Sequence, residues 1–263
     1  MGQLGPKNPA RMLITVKTYP IPSFTYLELV CTAGVLKDGS FVRLYPIDYR
    51  YRPYWEWYRK YEWVELDIEK NEKDPRPESY RPRTGALIRA TGCVLSTEDN
   101  WAERKKFVLA KGVQTMCELR KGSQIQRSLG IVRPAAVKDF IAEPCERDWT
   151  AEQKEQFRQL SLFGPQRKPL EKIPYKFSYN FVCEESGCPS HQMMIEDWEA
   201  GQLFRKMRDM HGEAVAVQKV KQRFLDTICA PKVDTHFFVG TVLQHGTWII
   251  LGAFWPKRLH IAS

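Results

Sequence analysis

The stretch ELVCTAGVL followed by FVRLYPI constrains this chain more than any other. Two extended apolar runs flank KDGS, with Asp38-Gly39 at the centre, and that order dictates an antiparallel hairpin. A chain that pairs with itself so early must cover an apolar face with more strands or with helices. The neighbouring segments supply strands: LITVKTYP alternates up to a proline, EWVELDIEK is mixed apolar and acidic, and ALIRATGCVLS is extended in composition. Residues 97–121 change period, opening on Thr97 and two acids and closing on Arg and Lys, which predicts a helix. Residues 129–143 are expected to form one or two short strands, and Thr150 is expected to cap a short helix, AEQKEQFRQLS.

LFGPQRKPLEKIP carries three prolines and a glycine in thirteen residues and is the best linker candidate. It divides the sequence into a β-rich unit, residues 13–160, and an α+β unit, residues 175–263. The second unit is expected to hold a strand entering a tight loop, two helices over 192–210 and 213–229, and a terminal hairpin around Gln244-His245-Gly246. Strands, then helices, then strands, without regular βα alternation, predict an α+β fold of small antiparallel sheets. At 263 residues the chain can bury a sizeable core without covalent staples. No apolar run approaches the length of a membrane helix, and the first dozen residues lack the apolar region of a secretory signal. Seven cysteines, an odd number, fit a reducing, cytoplasmic setting better than a disulfide framework.

The net charge of +9 is unevenly placed. Eight cations (Arg104, Lys105, Lys106, Lys111, Arg120, Lys121, Arg127, Arg133) stand against one acid, Glu118, so residues 104–133 alone carry +7. A weaker cluster follows: Arg205, Lys206, Arg208, Lys219, Lys221 and Arg223. Such a surface can track phosphates by releasing condensed counterions, or it can be a solvated helix face. Residues 49–61, YRYRPYWEWYRKY, hold seven Tyr or Trp with Arg50, Arg52, Arg59 and Lys60 interleaved. Unpaired bases stack on such rings, and arginine planes add cation–π contact. Trp55 and Trp57 serve equally well in a core or a protein interface.

Cys183, Cys188 and His191 form C-x4-C-x2-H on a Gly/Pro turn, donors suited to Zn²⁺; the alternatives are a thiol pair in a loop with a surface histidine, or a redox pair, though x4 is not the C-x-x-C spacing. A structural site needs a fourth ligand, and Cys145, Cys229, His211, His236 and Asp197 are the candidates. Glu196, Asp197 and Glu199 place carboxylates at a helix start; they either favour the helix dipole or serve a metal-dependent nuclease. Asp139 with Glu152 and Lys154 loosely resembles a nuclease core, but that ExK opens a helix. Phosphate-loop, nucleophile-elbow and dinucleotide motifs are missing.

Leu29-Val30-Cys31-Thr32-Ala33-Gly34, then Gly39-Ser40-Phe41-Val42-Arg43-Leu44-Tyr45-Pro46, resembles the opening of dual OB-fold domains in bacterial conflict systems. In that family a C-x-A-G strand precedes a G-x-W-[VI]-R-P strand; here Phe41 replaces the tryptophan, and Leu44-Tyr45 separates Arg43 from Pro46. The resemblance implies OB-like small β-barrels, a nucleic-acid-binding role and an antiviral setting, with Arg43 and Tyr45 on or near the binding strand. The expectation is therefore an accessory protein with structural zinc that binds single-stranded or distorted DNA or RNA. Residues 49–61 would stack bases while Arg104, Lys105, Lys106, Lys111, Arg120 and Lys121 hold phosphates. A nuclease, or a scaffold docking a protein partner, is the alternative.

Overall fold

A computed structural model describes residues 8–22, 28–123, 125–155 and 170–259. The expected hairpin is β3 (Glu28–Val35) and β4 (Phe41–Ile47), antiparallel from Val35↔Phe41 onward. β3 also pairs with β1 (Ala10–Lys17) and with the short β2 (Ile21–Pro22). β1 pairs in turn with β5 (Glu62–Leu66), and β5 with β8 (Arg89–Val94). On the other side β4 runs parallel to β7 (Ser79–Pro82), which pairs with β6 (Ile68–Lys70). The order β6-β7-β4-β3-β1-β5-β8, with β2 beside β3, makes one eight-stranded sheet.

This sheet is an open path. A barrel would need β6 to pair with β8, and no such pairing exists among the described residues. β8 instead presents a mostly exposed edge. The mixed α+β class holds; the expected small barrels are not what the pairing describes.

β1 explains how the sheet acquires two apolar faces. Met12 and Ile14 point to one side with Val30, Val42, Leu44 and Val64. Leu13 points to the other, and a register shift between Ile14 and Val16 brings Val16 onto the same side as Leu13. That second face packs against Leu129, Ile131, Phe238, Ile249, Leu251 and Phe254.

Those residues come from a three-stranded sheet, β9 (Leu129–Val132), β13 (His236–Thr241) and β14 (Trp248–Phe254), in the order β14-β13-β9. A third sheet comprises β10 (Ala136–Pro144), β11 (Tyr175–Val182) and β12 (His191–Met194), in that order. β9 and β10 therefore pair with strands beyond residue 174, across the boundary expected from the linker. Most of that linker lies outside the described residues. Thr150 does start a helical turn at 151–155, exchanging hydrogen bonds with Gln153; the rest of that helix is outside the description.

Helices differ from expectation at their bounds. Residues 97–121 form two segments, α1 (Glu98–Val108) and α2 (Met116–Lys121). Between them Gly112, at φ 74°, takes the left-handed conformation that ends a helix. Residues 191–194 are strand, so the first helix of the second half is α3 (Trp198–His211). It is followed by α4 (Glu213–Lys221) and a wider π turn, Gln222–Thr227. No helix among the described residues is long and apolar enough to cross a membrane.

Candidate metal centre and basic aromatic cleft

Cys183 follows directly on β11 and His191 opens β12, with Cys188 in the loop between them. Gly187, at φ 77°, makes the reversal that turns Cys188 back. The fourth donor is Cys117, not one of the five residues weighed from sequence. Its place is set by the capping box of α2: the Thr115 hydroxyl accepts from Glu118 N, and the Glu118 carboxylate accepts from Thr115 N. Cys117 thus lies in the first turn of α2, and the Met116 amide donates to Cys183 Sγ at 3.2 Å.

The ligand atoms of Cys117, Cys183, Cys188 and His191 all lie within 4.8 Å of one another. His191 Nε2 is 3.3 Å from the sulfurs of both Cys117 and Cys188. A tetrahedral ion with ordinary metal–ligand bonds would set that sulfur–nitrogen edge at roughly 3.5 Å. The two sulfur–nitrogen edges are therefore close to those of a metal site. Burial and the neighbouring Cys188 push the Cys117 thiol up to about 12. Burial likewise raises Cys183 and lowers His191. A cation reverses the thiol effect, since a coordinated thiol is deprotonated. His191 Nδ1 is buried without a partner among the described residues.

The acids at 196–199 stand apart from this centre. Asp197 is the N-cap of α3, accepting from Glu199 N at 2.7 Å. It also holds Lys60 Nζ at 2.7 Å, with both side chains at or below 9% exposure. Glu199 reaches the same ammonium at 3.4 Å. Asp197 and Glu199 together keep Lys60 charged, raising its pKa against the opposing effect of burial. Glu196 N donates to Ile250 O, and Tyr19 N donates to Glu196 O, so the three sheets meet at this junction. Asp197 caps the helix, as the helix-start reading of the sequence expects, and Asp197 and Glu199 are in addition the counter-charges of Lys60. Asp139 pairs with Lys221 and Lys154 with Asp148, so the two are held by different partners.

Beside the junction lies a cleft of about 1200 Å³. Arg59, Lys60, Arg104, Lys219, Arg223 and Lys257 line it, against the acids Asp99 and Glu199. Its rings are Tyr61, Trp101, Phe224 and Trp255. Trp101 meets Tyr61 edge-on at 5.8 Å and Trp255 at 5.1 Å. The Arg104 guanidinium lies 4.0 Å from the Tyr61 ring centre and 4.7 Å from that of Trp101. Arg223 lies 4.7 Å from the Trp255 ring centre.

Of the residues expected to touch nucleic acid, Arg59, Lys60 and Arg104 line this cleft. Arg43 does not: it is 2% exposed and donates to Ser128 Oγ and O. A guanidinium consumed by a buried link between sheets cannot meet a phosphate, so that expectation is corrected. Tyr45 is half-buried on β4, with its carbonyl held by Asn71. Arg50 pairs with Glu28, and Arg52 with Asp48 and Glu56. Trp57 is half-buried and donates to Arg52 O, while Tyr49, Tyr58 and Tyr61 are core residues. Trp55 is 75% exposed but does not line the cleft. Nor do Lys105, Lys106, Lys111, Arg120 and Lys121; the last two lie on α2 beside the metal donors. Sequence reasoning missed Trp101, Trp255 and Lys257 in the cleft and Cys117 in the knot. The capping box before Cys117 was the available signal for a fixed thiol.

Fold and donor set define an α+β protein with a Cys3His cluster that could hold a metal ion. The chain belongs to the family described as Domain of unknown function (DUF8757), which matches residues 112–263. Residues 8–110 match a second family, Domain of unknown function (DUF8758). No curated protein matches the sequence. A solved structure of a murine DNA binding protein bound with double-stranded DNA aligns over 98% of this chain and 100% of that one, at 7% identity and a TM-score of 0.31. At that level the likeness establishes neither fold nor function.

Proposed function

We propose that this chain is a nucleic-acid-binding accessory protein that takes a single-stranded or distorted segment in the cleft. The supporting observation is the convergence of Arg59, Arg104, Lys219, Arg223 and Lys257, beside the ion-paired Lys60 and the acids Asp99 and Glu199, with four aromatic rings in one cavity. Cations neutralise phosphates, and rings accept unstacked bases, a combination that favours an opened strand over an ordinary duplex. The antiviral setting is supported only by the resemblance of residues 29–46.

Anisotropy of a fluorescein-labelled oligothymidylate over a salt series tests this reading. Binding should weaken steeply as salt rises, and the pair Arg104→Glu with Arg223→Glu should abolish it. No binding at low salt, or binding indifferent to both reversals, overturns the proposal.

The ion of the Cys3His centre is, in this reading, a structural Zn²⁺. Three thiolates and one imidazole fill a tetrahedral shell and leave no open position for a substrate. Elemental analysis should find about one zinc per chain, falling in Cys117→Ser as far as in Cys183→Ser. Full zinc content in Cys117→Ser would remove Cys117 from the shell.

A further inference from the structure

Among the described residues, five other than glycine have positive φ: Tyr61, Asp99, Asn100, Trp101 and Ser190. Four of them, all but Ser190, line the cleft. Three consecutive left-handed residues, Asp99-Asn100-Trp101, are a costly way to begin a helix. Asn100 secures that turn through Lys257, donating to its carbonyl and accepting from its amide. The result sets the Trp101 ring between Tyr61 and Trp255.

A second cost sits at the same place. The Tyr61 hydroxyl is buried with no hydrogen-bond partner among the described residues. A phenylalanine would fill that space without the penalty. Above the ring, Arg104 directs Nε and Nη2 to the Leu95 carbonyl and forms no ion pair among the described residues. The wall therefore combines an unsatisfied hydroxyl, a strained tryptophan and an arginine without a carboxylate.

We infer that this end of the cleft is a subsite for one unstacked nucleobase, with the Tyr61 hydroxyl as the group that hydrogen-bonds its edge. Arg104, over the Tyr61 ring, is placed to meet a phosphate flanking that base. A phenol hydroxyl both donates and accepts, so it can pair with the edge of any base. Trp101 and Trp255, which meet edge-on, form one aromatic wall beside it. The inference rests on the nucleic-acid reading above and adds which part of the strand is recognised.

The test is Tyr61→Phe, read with two labelled oligomers of equal length and charge, one oligothymidylate and one abasic throughout. Tyr61→Phe should melt at or above the wild-type temperature, because it removes a buried unsatisfied group. It should bind oligothymidylate roughly fivefold more weakly, the equivalent of one net hydrogen bond. On the abasic oligomer the two proteins should bind alike. Equal affinity for oligothymidylate, an equal loss on the abasic strand, or a lowered melting temperature each overturns the inference. Failure of the wild type to bind either oligomer at low salt instead sinks the broader reading.

Discussion

An ammonium in a protein interior persists only beside an anion, which makes Lys60 and Asp197 a single unit. Removing one partner leaves the other charge buried. Asp197→Ala is therefore expected to cost about 3–5 kcal/mol, measured by denaturant unfolding. Gly252 faces the same pair: a Cβ there would stand 2.9 Å from Asp197 Oδ2. Gly252→Ala should accordingly destabilise by pushing on that carboxylate, and the two substitutions should be strongly non-additive. Part of this was readable in the chain. The acids at 196–199 identify a helix start, and Asp197 is its cap. Lys60 was not readable as its partner, because 137 positions separate them and its neighbours in YRYRPYWEWYRKY point to a basic surface. That stretch misled in general: ring-rich sequence does not distinguish Tyr58, fully buried, from Tyr54, at 81% exposure.

Elements near the cleft are tied by carboxylates whose pKa values fall on folding. Hydrogen bonds from Arg208 and Arg205 on α3 hold Glu171 down to about 2. Arg147 and Tyr175 do the same for Glu213 at the start of α4. Both folded values lie below the unfolded ones, so the stabilisation is present above about pH 4.5 and is lost as pH falls toward about 2. Thermal melts across that window should show a shallower acid limb in the pair Glu171→Gln with Glu213→Gln. At α2, Thr115→Ala removes the cap and is expected to cost about 1 kcal/mol. It should also weaken metal retention against a chelator, since the cap fixes Cys117. Wild-type retention in Thr115→Ala would separate the cap from the centre. The helical spacing of Val217, Val220, Phe224 and Ile228 was legible and marks the packed face. The π turn that carries Arg223 to the cleft was not, because no composition rule distinguishes it from a continuing α-helix.

The molecule is a set of sheets that share cores. The face of the first sheet bearing Leu13, Val16 and Trp63 is completed by β9, β13 and β14. Buried Arg43 and Arg76 reach across to Ser128 and Thr241. Residues 112–263 produced alone should consequently expose Phe238, Ile249 and Phe254, bind a hydrophobic dye and aggregate. Supplying residues 1–111 in trans should suppress both effects, and a well-behaved monomer of 112–263 would contradict this packing. The hairpin at 28–47 and the terminal hairpin were clear in sequence because adjacent residues build them. The pairing of β9 with β13 was not, since it joins segments on either side of a proline-rich stretch that reads as a boundary. Cys117 and His191, 74 positions apart, have a consequence for biosynthesis. A ribosome releases the first thiol well before the imidazole, so the knot closes only once most of the polypeptide has emerged. A metal held by all four donors would therefore be captured only after the second half has been translated.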